Sequence, residues 1–168
     1  MKDTLIQTIN ALSDLDKYNF LYHKSKYHST MPSLDRLKQI MLDLKTILFP
    51  GFFGNSNINP DTIQYTIGAQ LEKISRDLSE QIRNGLCFAC ENEDGDCTHC
   101  ETKVAQVTKD LIRRLPYIKH MLSTDVVAAY QGDPAAKNYG EAIFSYPSIL
   151  VLTYYRIAPG WISIPVME

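Results

Sequence analysis

The 168-residue sequence predicts an all-α domain, and three observations carry that expectation. Apolar residues recur every three or four positions in two long segments, the spacing that lines up one face of a helix. Helix-opening residues, Pro32-Ser33 and Asn59-Pro60, stand just ahead of those segments. No segment alternates apolar and polar residues as a half-buried strand does. Roughly six to eight helices are expected, each burying one stripe.

Leu5 to Leu21 carries scattered apolar residues and the cluster Tyr18-Asn-Phe-Leu-Tyr22, and reads as the first helix. Tyr22 to Met31 is polar and aromatic, a connection. Pro32-Ser33 opens the next helix, with Asp35 in the first turn, where the helix dipole favours a negative charge. Leu34, Leu37, Met41, Leu44 and Leu48 are expected on its buried face, and Pro50-Gly51 ends it. The segment from Gly51 to Asn59 has loop composition. Asn59 then caps a helix with Pro60 at its first position. Ile63, Ile67, Leu71, Ile74, Leu78 and Ile82 form the clearest amphipathic stripe of the chain, with Glu72–Arg76 and Lys73–Asp77 pairs on the wet face. Arg83 and Gly85 are expected to close it. Thr102 to Arg114 is a further helix that Pro116 breaks, Tyr117 to Leu122 a short one, and Ser123-Thr124 the cap of another running to Tyr130 and ended by Gly132. Ser145 caps the last helix, with Pro147 in its first turn.

Composition narrows the function classes. Hydrophobic residues make up 45% and charged residues 21%, with a net charge of −2 and a pI near 6.1. That balance lacks the basic footprint of a nucleic-acid binder. The most strongly apolar run, Ile149 to Leu152, is far too short to span a bilayer. The N-terminus has no apolar signal-peptide core, so a cytoplasmic protein is expected.

All four cysteines fall within residues 87–100, as Cys87-Phe-Ala-Cys90 and Cys97-Thr-His-Cys100. Two residues between thiols let one turn of backbone present both sulfurs to one ion, and four thiolates make the tetrahedral shell that zinc accepts. The expectation is a structural zinc on Cys87, Cys90, Cys97 and Cys100, in a stapled loop over residues 86–101. An iron–sulfur cluster or metal-free thiols are the alternatives, and His99 is an alternative ligand to one cysteine. Four thiolates leave no open position for water, so such a metal is not catalytic.

The last functional signal is a polar turn. Asp133-Pro134-Ala-Ala-Lys137 follows a helix-ending glycine, and in isolation Asp133 reads as a helix cap with Pro134 at the first position. Asp125 reads as a first-turn residue of the preceding short helix. The order Asp125, Asp133-Pro134-Ala135, an aromatic–Pro segment and then Tyr155-Arg156-Ile157-Ala158 resembles the end of the N-terminal helical domain of bacterial serine O-acetyltransferases. The close resemblance covers Leu115 to Ala158.

That resemblance implies an enzyme family moving an acetyl group from acetyl-CoA to the hydroxyl of L-serine, with a histidine base in a left-handed β-helix domain. It also implies trimers paired into hexamers. It implies that Asp133 contacts the serine at the edge of the active site, where a carboxylate suits an ammonium group. Residues 1–158 are then the helical domain, carrying the cysteine insert, and 159–168 a short atypical tail. After Ala158 the helix-stopping Pro159-Gly160 appears, and no hexapeptide repeat follows. The β-helix domain, the catalytic histidine and the acetyl-CoA site are therefore expected to be absent, and no catalytic residue is assigned. His23, His28 and His120 read as surface or core residues.

Three readings follow. The first is a truncated, inactive serine acetyltransferase that self-associates and touches L-serine only through Asp133. The second is a zinc-stapled helical module that binds a protein partner. The third is a four-cysteine sensor of redox state or metal supply.

Overall fold

The computed structural model describes residues 1–23, 30–89 and 98–158; of Thr98 and His99 it describes the backbone alone. The described residues are helical throughout, in the order α1 (Lys2–Leu12), α2 (Leu15–Tyr18) with a 3₁₀ turn (Asn19–Leu21), α3 (Leu34–Leu48), α4 (Ile63–Ala89), α5 (Thr98–Gly132), α6 (Tyr139–Ser145) and α7 (Pro147–Ile157). No named strand occurs among them. The all-α expectation holds.

The centre is an antiparallel run of α3, α4 and α5. Its registers are set by polar cross-links at matching heights. Ser33 N–H donates to Gln81 Oε1 at 2.7 Å, and Lys73 reaches Asp43, across α3 and α4. The Ser79 and Thr108 hydroxyls meet at 3.0 Å, and Arg83 pairs with Glu101, across α4 and α5. Ile40, Leu44, Ile74, Leu78, Leu111, Ile118 and Leu122 fill the core, each almost fully buried. Helices α6 and α7 close it against the C-terminal half of α5, adding Ala142, Ile149 and Ile157.

The stripe of α4 is confirmed at Ile74, Leu78 and Ile82. The stripe of α3 is borne out at Leu44 and Leu48, with Met41 packed against the core, and departs from expectation at its start. Leu34 is 74% exposed, and the buried face is Ile40, Leu44, Ile47 and Leu48. Ser33 caps α3 as expected, its hydroxyl accepting from Arg36 N–H at 3.3 Å.

Five expected boundaries are corrected. Asn59 does not cap α4. Its side chain accepts from Asp61 N–H at 2.9 Å in a local turn, and the helix starts at Ile63. At its other end α4 runs through Gly85 to Ala89, because Arg83 is drawn across to Glu101 and Cys87 is buried one turn later. Pro116 does not break α5, a continuous helix of 35 residues. Proline removes one backbone donor, but Leu115 and Ile118 on either side are buried in the core and hold the helix in line. The Ser123 and Thr124 hydroxyls bond back to the carbonyls of His120 and Met121 instead of capping a new helix. Ser145 ends α6 and caps nothing; Tyr146 precedes Pro147 at the start of α7.

The N-terminal segment is two short helices and a turn. Asp14 divides them by accepting from Lys17 N–H at 3.1 Å. No residue of α1 is buried.

Candidate functional site

The carboxylate turn lies where α5 ends. Gly132 is the last helical residue, and Pro134 presets the next backbone angle for a turn. The Asp133 carbonyl accepts from Ala136 N–H at 3.0 Å, and its Oδ1 accepts from Ala135 N–H at 2.9 Å. Asp133 is therefore the head of an Asx turn and not a helix cap. The reason lies just downstream. Asn138 captures the helix-capping role, its Oδ1 accepting from Glu141 N–H at 2.9 Å, while Glu141 accepts from Lys137 N–H at 2.8 Å. This cap, with Glu141 also holding the residue before it, starts α6 five residues later.

The second oxygen of Asp133 accepts from the Tyr146 hydroxyl at 2.5 Å. That bond, followed by the one from Ala135, holds the Asp133 carboxyl below the usual carboxylate range. The same contact pushes the Tyr146 hydroxyl up to about 12. Among the described residues no cation is paired with Asp133, so the charge of its carboxylate is not cancelled by an ion pair.

Asp125 behaves differently. It sits within α5, and Arg156 of α7 donates to both of its oxygens at 2.6 Å, from Nε and Nη2. The carboxylate first, through this fork, raises the Arg156 guanidinium further above its ordinary value. Asp125 is thus a structural tie between α5 and α7, not a first-turn residue of a short helix.

A cleft of about 220 Å³ opens between the end of α3, α6 and the start of α7. Phe49, Phe53, Phe144 and Tyr146 line it, and Lys45 Nζ lies 3.9 Å from the centre of the Phe53 ring.

Of the expected zinc ligands, Cys87 is buried near the end of α4 and Cys100 lies in the first turn of α5. Cys90 and Cys97 lie outside the described residues, as do His28 and the side chain of His99. The described residues alone contain no group of three or more metal-ligating side chains.

No family profile matches the chain. It is 35% identical over 154 residues to a protein of Synechococcus elongatus named serine acetyltransferase, plasmid, an alignment covering 89% of this chain. This chain is a relative of serine acetyltransferases. It spans about half the length of the curated relative it matches, 48% of that protein.

In this serine acetyltransferase relative, the aspartates that carried the sequence resemblance have separate fates. Arg156 neutralises Asp125, whereas Asp133 keeps its charge. Sequence reading missed Tyr146, the Asp125–Arg156 fork and α6. Only α6 had a usable signal, the Asn138-x-x-Glu141 capping spacing. No helix of the described residues is long and apolar enough to cross a membrane.

Proposed function

We propose that this chain forms the helical part of a serine acetyltransferase, in the cytoplasm, and contributes substrate contact and assembly rather than the acetyl transfer itself. The observation that carries the reading is the uncompensated, hydrogen-bonded carboxylate of Asp133, in a chain similar to a serine acetyltransferase over 89% of its length. An ionised carboxylate at this point suits the ammonium group of L-serine. Attack of the serine hydroxyl on the thioester of acetyl-CoA needs a base near that hydroxyl. Among the described residues His23 and His120 are exposed. His120 lies 13 positions before Asp133, about 20 Å back along α5. Neither the base nor the acetyl-CoA site is assigned to the described residues.

Assembly is the second contribution. Leu5, Ile9 and Leu12 recur on one face of α1 at 61%, 54% and 69% exposure, an apolar stripe suited to another copy of the chain. Trimers or hexamers are the expected states.

A purified-chain assay of CoA release from acetyl-CoA and L-serine tests the reading. No turnover is expected, with serine-dependent NMR shifts confined to the Asp133 turn. Turnover abolished by Asp133→Ala would mean that the chain holds a complete site, and the proposal would fall.

The cysteine segment supports a companion reading, a zinc-stapled helical module for a protein partner. Arg83 and Glu101 hold the facing ends of α4 and α5 together, with Arg83 Nε 2.5 Å from Glu101 Oε1. Cys87 lies one turn beyond Arg83, and Cys100 is adjacent to Glu101. Both outer thiols therefore sit at one end of the helix pair, and the donor set fits a four-thiolate zinc held with Cys90 and Cys97. Zinc there would supply a cross-link between α4 and α5 and no catalysis.

A further inference from the structure

Tyr146 gains its place from the residue that follows it. A proline ring disfavours the helical region for the residue before it, and the Tyr146 backbone is extended, with φ −84° and ψ 116°. This parts α6 from α7 and turns the tyrosine toward the end of α5. Its ring packs against the hydrophobic core and forms part of the cleft wall. The hydroxyl is thus delivered from a fixed platform to Asp133 Oδ2. With Ala135 N–H on Oδ1, each carboxylate oxygen receives one donor from the chain.

We propose that Tyr146 is the positioning residue for Asp133, holding the carboxylate in one orientation with its remaining lone pairs free for the ammonium group of an amino acid. The proposal rests on the reading of Asp133 as that ammonium acceptor. Two fixed donors define both the site and the plane of the carboxylate, so less side-chain freedom is lost when a ligand binds. The nature of the donor matters as much as its position. A phenol is neutral and leaves the negative charge of Asp133 available. The guanidinium on Asp125 cancels that carboxylate's charge, so the two aspartates are suited to different tasks. Glu141 of α6 is the other charge acting on Tyr146; it disfavours the phenolate and keeps the hydroxyl a donor.

Carboxyl-detected NMR on the chain and its Tyr146→Phe variant tests this. Asp133 is titrated in each, and L-serine binding is followed at the Asp133 carboxyl and the Ala135 amide. In Tyr146→Phe the core amide spectrum is expected to persist, the Asp133 midpoint to move up toward the ordinary aspartate value, and serine affinity to fall several-fold. An Asp133 midpoint that does not move, or serine affinity equal to that of the wild-type chain, overturns the proposal. Asp133→Asn separates this from failure of the underlying reading. Serine binding that survives in Asp133→Asn, or no serine response in the wild-type chain, removes Asp133 as the ammonium acceptor whatever Tyr146 does.

Discussion

Breaking the Asp125–Arg156 fork measures how firmly α7, and with it the start of the Tyr146 turn, is tied to α5. The pair is bidentate at 2.6 Å, and its side chains are 14% and 22% exposed for Asp125 and Arg156. Exposed ion pairs contribute about 0.2–1 kcal/mol. Removing one partner of a fully buried pair costs about 3–5 kcal/mol, because the other charge is stranded. This pair lies between those limits, so Asp125→Ala is expected to cost about 2 kcal/mol. Arg156→Met keeps most of the apolar stem and should cost a similar amount. The double variant should lose scarcely more than either single one, a coupling of about 1–2 kcal/mol. For a chain of this size, 2 kcal/mol corresponds to a fall in Tm of about 4–8 °C. Urea and thermal unfolding followed by far-ultraviolet circular dichroism on the four proteins of the cycle would read both numbers. Additive single losses, with coupling under about 0.5 kcal/mol, would refute the reasoning and make the fork incidental to stability.

Other expected outcomes are as direct. The Tyr146–Asp133 contact should give a pH-windowed stability difference between the wild-type chain and Tyr146→Phe. Tyr146 is raised from 10.0 to about 12, so its contribution is complete below pH 10 and lost as pH rises through 12. Asp133 is lowered, so the contribution is present above the ordinary aspartate range and lost as pH falls through the lowered value. Urea midpoints of the two proteins that differ equally at every pH would contradict this. Pro116→Ala restores a backbone donor in the middle of α5 at an exposed position and should stabilise the chain by about 1–3 kcal/mol in urea unfolding; a loss would show that the proline sets a bend the packing needs. Ile9→Asp should shift the mass measured by light scattering from oligomer to monomer, whereas a monomeric wild-type chain removes α1 as an assembly surface. Elemental analysis should find about one zinc per chain, and Cys87→Ser or a chelator should remove it and lower Tm; a metal-free chain with unchanged Tm ends the zinc reading.

Much of the fold was legible in the sequence because amphipathic helices announce themselves locally. The α4 stripe at Ile74, Leu78 and Ile82, the Ser33 cap and the helix ending before Pro50-Gly51 each follow from neighbours within a few residues. The similarity to a serine acetyltransferase was legible in the order of motifs from Asp125 to Ala158, and the comparison supports it over 89% of the chain. Tertiary packing decided the rest. It carried α5 straight through Pro116, because buried neighbours outweigh one missing hydrogen bond. It carried α4 past Gly85, because Arg83 found Glu101 across the helix pair. It left Leu34 of α3 exposed and added Ile40 and Ile47 to the buried face that Leu44 and Leu48 share. In the turn, the sequence alone marked Asp133 as a polar residue worth attention, but its partner lies 13 residues away and no local pattern connects the two. Backbone propensity acts over a few residues, and the sequence by itself determined helices and caps on that scale. Which carboxylate is neutralised and which keeps its charge depends on groups brought together only when α5, α6 and α7 pack.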